Sequence, residues 1–155
     1  MGRLLGHGAC KPLMLAAAAL AACTTRPPAR EAISTALAPL PVGPYSQAVR
    51  TGDMLWLAGQ VGIDPSTGRL VEGGAAAEAR QALENLGAVL AAAGFSFGDV
   101  VQAQVFLTDI ADFGAVNPVY AERFEREPPA RATVAVAALP GGARVEIQMV
   151  AVRRR

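Results

Sequence analysis

A chain of 155 residues, 52% hydrophobic and 17% charged with a formal net charge of +1, is long enough for one domain with a sizeable core and too evenly charged to grip nucleic acid electrostatically. Lys11, His7 and Cys10 all precede residue 23, so residues 23–155 hold no lysine, no histidine and no cysteine except Cys23. That composition excludes a Walker loop, a pyridoxal Schiff base, histidine-assisted serine or cysteine hydrolysis, a histidine or cysteine zinc site and an internal disulfide.

Arg3 and Lys11 precede an apolar run from Leu13 to Ala22, too short to span a bilayer, which ends in Leu20-Ala21-Ala22-Cys23. Residues 1–22 read as a secretory signal. The small residues before Cys23 resemble a bacterial lipobox, with Cys23 as the lipidated first residue of the mature chain. A lipid tethers a domain to a membrane without threading it through, so the lipid anchor is the one membrane contact expected. Thr24 lacks the aspartate linked to inner-membrane retention, and the expected address is therefore the cell envelope, at the outer membrane facing the periplasm. A buried helix with an incidental cysteine is the plainer alternative.

Residues 23–30 form a Pro- and Arg-containing tether, leaving 31–155 as one domain. In the mature chain twelve arginines face thirteen acids, a formal charge of −1. Arg153-Arg154-Arg155 is the basic cluster and, without interleaved aromatics, reads as a solvated tail rather than a nucleic-acid contact.

Ala32 to Leu37 predicts a first, weakly patterned strand. Gln47 to Thr51 and Met54 to Gln60 flank the turn signal Gly52-Asp53 and predict a hairpin. Asp64-Pro65-Ser66-Thr67-Gly68 then breaks the chain. From Gly74 to Ala93, Ala79, Leu83, Leu86 and Leu90 recur at helical spacing, and Gly94 supplies the stop; Glu84 and Asn85 read as surface groups.

Asp99 to Thr108 alternates as a strand, with Val101, Ala103, Val105 and Leu107 on one face and Gln102 and Gln104 on the other. The two glutamines invite a binding role, but a solvated or subunit-facing sheet surface explains them as well. Val116 to Glu127 predicts a second helix in which Pro118 is tolerable only near the first turn, so Asn117 is read as its cap or first residue. Ala132 to Val136 and Arg144 to Val152 complete the strands, with Glu146 on the polar face of the last. The order predicts an α+β domain: a mixed sheet covered on one face by two helices, the other face covered by subunit association.

Two residues carry the chemistry. Arg131, in Pro129-Ala130-Arg131, offers a permanently charged planar fork that fits a carboxylate, and Glu146, in Val145-Glu146-Ile147, can orient or activate water. The breaker Leu139-Pro140-Gly141-Gly142 lies between them and sets the pair a short, sharp turn apart, with Arg131 expected to be buried. The pair suits chemistry on a small organic acid; equally, the two could be a structural ion pair. Asp109 and Asp112 lie in a turn with no further acids at ligand spacing, so neither a metal nor a cofactor is expected.

Together with these, Gly43-Pro44-Tyr45-Ser46-Gln47-Ala48, Ala58-Gly59-Gln60, Asp64-Pro65 with Thr67-Gly68, and Phe113 with Val116-Asn117 and Tyr120 make the chain resemble the reactive intermediate deaminase (RidA) family from about Ile33 to Arg153. The resemblance implies a chorismate-mutase-like fold, a homotrimer, and clefts between subunits that hydrolyse 2-imino acids and their enamines to 2-oxo acids and ammonia. In those clefts Arg131 would clamp the substrate carboxylate, Glu146 would hold the attacking water, and Tyr45 would hydrogen-bond the substrate or relay a proton. Asn117 and Gly59 would shape the wall, and backbone groups at Thr133 would bind substrate.

The sequence also departs from the family. Thr133 stands where many relatives have cysteine, which removes thiol-dependent chemistry and leaves deamination possible. Gln148 replaces a common acid. Tyr45 could equally be an apolar plug with its hydroxyl satisfied by backbone. A noncatalytic module that binds a small carboxylate or an envelope partner in the same trimeric cleft is the alternative function.

Overall fold

A computed structural model describes Gly2 and residues 29–124 and 126–154. The expected lipidation site Cys23, the signal apart from Gly2, and the tether up to residue 28 lie outside the described residues. Among the described residues nine strands and two α-helices follow in chain order: Arg30–Ile33 (β1), Ala48–Thr51 (β2), Met54–Leu57 (β3), Gln60–Val61 (β4), Ile63–Asp64 (β5), Arg69–Leu70 (β6), Gly74–Ala92 (α1), Val100–Leu107 (β7), Phe113–Ala121 (α2), Ala130–Ala135 (β8) and Val145–Val152 (β9). The main sheet runs β1-β2-β3-β9-β7-β8, with β4 also pairing β9, while β5 and β6 form a separate small hairpin. Its pairs are antiparallel except β7–β8, which is parallel and therefore needs the crossover that α2 provides.

The expected mixed sheet with two helices on one face is present. Leu83, Leu86, Val89 and Leu90 of α1 are buried against Val145, Ile147, Met149 and Ala151, the alternate residues of β9. Each fully buried side chain of this size stabilises by about 1.5–3 kcal/mol. Gly94 stops α1 as expected: at φ 74° its N–H bonds the Ala91 carbonyl while Phe95 N–H bonds that of Leu90. This reciprocal pair is the glycine-capped helix end that satisfies two of its terminal carbonyls.

Several expectations need correction. The first strand ends at Ile33, and residues 34–47 form a loop. Asn85 is buried, not a surface group; its Nδ2 donates to the carbonyls of Val61 (3.3 Å) and Ile63 (2.9 Å), tying β4 and β5 to α1. In β7 a register shift between Val100 and Gln102 pushes Val101 outward, so Val100 takes the inward place with Ala103, Val105 and Leu107. One extra residue is enough to flip the alternation on one side of it. Arg153 and Arg154 are not a free tail: Arg153 donates to the Gly94 carbonyl and stacks on Phe95, and Arg154 pairs with Glu127 at 2.8 Å.

The second helix starts three residues early and ends six residues early. Asp109 accepts from Ala111 N–H at 2.9 Å and caps a 3-10 turn, Ile110–Asp112, that feeds directly into α2. Pro118 therefore sits inside the helix, where it cannot donate to the carbonyl of Gly114 four residues back. Asn117 is accordingly mid-helix rather than a cap, and its side chain is free for another partner.

The helix-free face carries Trp56, Gln102, Gln104, Phe106, Val134, Glu146 and Gln148, which the strand registers place side by side. Trp56 is 48% exposed and Val134 47%, so this face presents large apolar groups that the other described residues do not cover.

Candidate active site

One half of the candidate site gathers where β3 gives way to β4. Trp56 pairs with Val150 and Gln60 with Ile147, so four steps along this edge match three along β9. The extra residue bends the strand at Ala58-Gly59 beside Glu146. A Cβ at Gly59 would overlap Glu146 Oε1 and lie 2.8 Å from its Cδ, so only glycine leaves room for the carboxylate. The cross-strand neighbours of Glu146 are Val61 and Phe106. Its carboxyl is half-buried, and this burial raises its pKa above the ordinary glutamate value.

Tyr45 shares that cleft, a cavity of about 630 Å³ whose walls include Leu40, Val42, Ile63 and Pro140. The Tyr45 ring is 51% exposed, which excludes a plug sealed in the core, and its hydroxyl accepts a long 3.4 Å bond from Val42 N–H. Gln47, expected as a strand start and as part of the motif at 43–48 but given no role in the site, holds the loop of this wall. Its side chain is 1% exposed; Oε1 accepts from Thr35 N–H at 2.6 Å while Nε2 donates to the carbonyls of Thr35, Ala38 and Pro39. A strand-like pattern gives no hint of such a clamp, although a glutamine beside a Pro-rich loop was the available signal.

The other half lies on the helix side of the edge strand. Arg131 pairs in register with Ala103 and Thr133 with Val105, both inward-facing residues of β7, so Arg131 and half-buried Thr133 point toward α2. Arg131 is exposed, not buried as expected. Its Nη2 donates to Asn117 Oδ1 at 2.7 Å, and its guanidinium carbon lies 4.5 Å from the Tyr120 ring centroid and 5.6 Å from that of Phe113. A second cavity, of about 430 Å³, opens among Asn117, Tyr120, Pro129 and Arg131.

Arg131 and Glu146 therefore face opposite sides of the sheet, with β7 between their strands. This overturns the structural ion pair within one chain. It equally means that the turn at 139–142 does not by itself join them. Arg131 and Asn117 meet in one half-site; Tyr45, Gly59 and Glu146 meet in the other. Asp112 is held in a two-point bond by Arg144, with 3.0 Å from Nε to Oδ2 and 3.0 Å from Nη2 to Oδ1. No group of three or more His, Cys, Asp or Glu side chains able to hold a metal occurs among the described residues.

Each half-site is chemically incomplete. One can grip an anion through a fixed cationic fork, and the other can exchange protons through a carboxyl of raised pKa. Within one copy these two capacities do not meet.

Residues 35–153 match the family model described as endoribonuclease L-PSP. The chain is 53% identical to a mouse 2-iminobutanoate/2-iminopropanoate deaminase over 80% of this chain and 92% of the mouse protein. It is 52% identical to a human protein of the same name, over 80% of this chain and 90% of the human one. The crystal structure of RidA from the Antarctic bacterium Psychrobacter sp. PAMC 21119 superposes with a TM-score of 0.77 at 46% identity, covering 79% of this chain and 99% of that one.

Proposed function

Because the chain belongs to the RidA, or endoribonuclease L-PSP, family, we propose that it hydrolyses reactive 2-imino acids, in equilibrium with their enamines, to 2-oxo acids and ammonia. The observation that carries this reading is the division of the site: an exposed, pre-oriented Arg131 in one half and a half-buried Glu146 with reserved space in the other. Three copies associate through the helix-free face, and each cleft takes Arg131 from one copy and Glu146 from the next.

Arg131 binds the substrate carboxylate through two parallel hydrogen bonds, with Asn117 holding the guanidinium and the Thr133 backbone adjoining it. This fixes the neighbouring imine carbon against the opposite half-site. Glu146, deprotonated, takes a proton from water as the water oxygen bonds to that carbon and passes this proton to the imine nitrogen, leaving a neutral carbinolamine and Glu146 again a carboxylate. The carbinolamine then collapses: Glu146 takes the proton of its hydroxyl, which becomes the carbonyl, and delivers that proton to the nitrogen as the C–N bond breaks and ammonia leaves. Tyr45 hydrogen-bonds the reacting nitrogen or water, and Gly59 keeps the space in which Glu146 works. A carboxyl whose pKa is raised by burial is better matched to this two-way proton traffic near neutrality than an ordinary one. RNA cleavage finds less support, since residues 23–155 contain neither lysine nor histidine and carry a net charge of −1.

Residues 1–22 act as a lipoprotein signal and Cys23 carries the lipid, holding the domain in the envelope. The pattern Leu20-Ala21-Ala22-Cys23 supports this, and the family match begins only at residue 35. Incorporation of a fatty-acid probe that is lost in Cys23→Ser tests the anchor; incorporation unchanged by that substitution defeats it.

The deaminase reading is tested by generating 2-iminopropanoate with an amino-acid oxidase and following its loss with purified domain. Wild type accelerates the loss and Arg131→Ala does not. No acceleration over buffer with several imino acids would leave the noncatalytic binding module as the function.

A further inference from the structure

Three side chains of α2, spaced four and three residues apart, converge on one guanidinium: Phe113, Asn117 and Tyr120 all meet Arg131. Only Asn117 does so through a polar bond. Tyr120 is 4% exposed, and its hydroxyl is buried without a hydrogen-bond partner among the described residues. A buried phenol of this kind is unfavourable for stability, so hydrogen bonding does not account for a tyrosine here. Its ring face, 4.5 Å from the Arg131 carbon, is the part in use. Phe113 flanks the same guanidinium at 5.6 Å and is 41% exposed.

We infer that Tyr120 is a positioning residue for carboxylate binding: its ring, assisted by Phe113, holds the Arg131 plane while Asn117 sets its rotation. An arginine on an exposed edge strand samples many rotamers, and each must be abandoned when substrate binds. A planar cation seated on an aromatic face and pinned at one nitrogen has already given up that freedom, so its free edge meets the carboxylate pre-aligned. The inference rests on the deaminase reading for its substrate, but the cradle itself acts on any small carboxylate. Because burial also pushes the Tyr120 hydroxyl up to about 12, despite the nearby Arg131 charge, the phenol stays neutral and acts as a ring at working pH.

The test compares Tyr120→Phe, Tyr120→Leu and Phe113→Leu, measuring imine turnover and, separately, calorimetric binding of 2-oxobutanoate. Tyr120→Leu is expected to raise both KM and the 2-oxobutanoate Kd about five- to thirtyfold with little change in kcat, whereas Tyr120→Phe stays within about twofold of wild type. Phe113→Leu, at an exposed position, gives a smaller rise and serves if Tyr120→Leu fails to fold. A Tyr120→Phe variant as impaired as Tyr120→Leu assigns the effect to the hydroxyl and overturns the inference. Unchanged affinity in Phe113→Leu together with unchanged affinity in any folded Tyr120→Leu overturns it too. If wild type binds 2-oxobutanoate in this ring-dependent way but turns over no imine, the deaminase reading fails and the cradle stands. If wild type binds no 2-oxo acid and turns over no imine, both fall.

Discussion

Gly59 lies against Glu146 so closely that a Cβ at position 59 would fall 2.8 Å from the Glu146 carboxyl carbon. The bulge where β3 gives way to β4 brings the Gly59 backbone up to the Glu146 side chain, so a Cβ there is accommodated only if that side chain moves. Gly59→Ala forces the carboxylate to swing away from its place in the cleft. A misplacement on the scale of 1 Å is enough to reduce turnover about 100-fold. Overpacking at a half-exposed site lowers stability by about 1–3 kcal/mol, leaving the protein folded. Steady-state kinetics beside a thermal melt checks this; a Gly59→Ala enzyme of normal rate would show that Glu146 does not need its present position.

Glu146→Gln separates stability from activity. Burial raises the folded-state pKa of Glu146 above its unfolded value, so its favourable contribution is present at acid pH and is lost as pH rises through the folded pKa. At neutral pH the ionised carboxylate is therefore a liability to the fold. The amide variant is expected to melt no lower than wild type at pH 7 and to lose that advantage as pH falls. Its deamination rate falls about 100-fold or more, because an amide cannot carry the proton. For wild type, the acid limb of kcat/KM lies above the ordinary glutamate range. A limb at or below that range would remove Glu146 as the titrating base.

Gln47 orders the loop that carries Tyr45. Its amide makes four hydrogen bonds, to Thr35, Ala38 and Pro39, from a site 1% exposed. Gln47→Leu keeps the volume and orphans the Thr35 N–H and the carbonyls, at a cost of at least about 2 kcal/mol. The loop 34–46 is then expected to be cut by protease faster than the rest of the domain, with KM raised more than kcat is lowered. Equal protease resistance in the two proteins would count against the clamp.

How much of this was legible beforehand follows from local periodicity. The α1 stripe of Ala79, Leu83, Leu86 and Leu90 and the alternation that puts Glu146 on the polar face of β9 both depend on neighbouring residues alone, and both are observed. The Arg131–Glu146 relationship is different in kind. Which way Arg131 points is decided by the parallel pairing of β8 with β7, a contact made only after α2 has crossed the sheet. A short turn between the two motifs suggested proximity; the pleat and the edge position set them on opposite faces. Val101 and Pro118 misled for a related reason. A bulge and a capped 3-10 lead-in each shift the phase by a residue or more, and neither leaves a mark in the hydrophobic pattern.

If each cleft takes Arg131 from one copy and Glu146 from another, two inactive proteins can repair each other. Arg131→Ala subunits retain Glu146, and Glu146→Ala subunits retain Arg131. In a mixed trimer of either composition, one of the three clefts joins the two intact halves. Random assembly from equal amounts yields mixed trimers about three times in four, so activity recovers to about a quarter of wild type. The measurement is made after the two variants are unfolded and refolded together, with each refolded alone as the control. A cleft built within one chain gives no recovery at any ratio, since every copy then lacks one of the two groups. Trp56→Glu, placed on the helix-free face where the tryptophan is 48% exposed, supplies the complementary arm. A charge buried there opposes association, and light scattering should show smaller particles whose rate falls with the loss of trimer, although each chain still carries both Arg131 and Glu146.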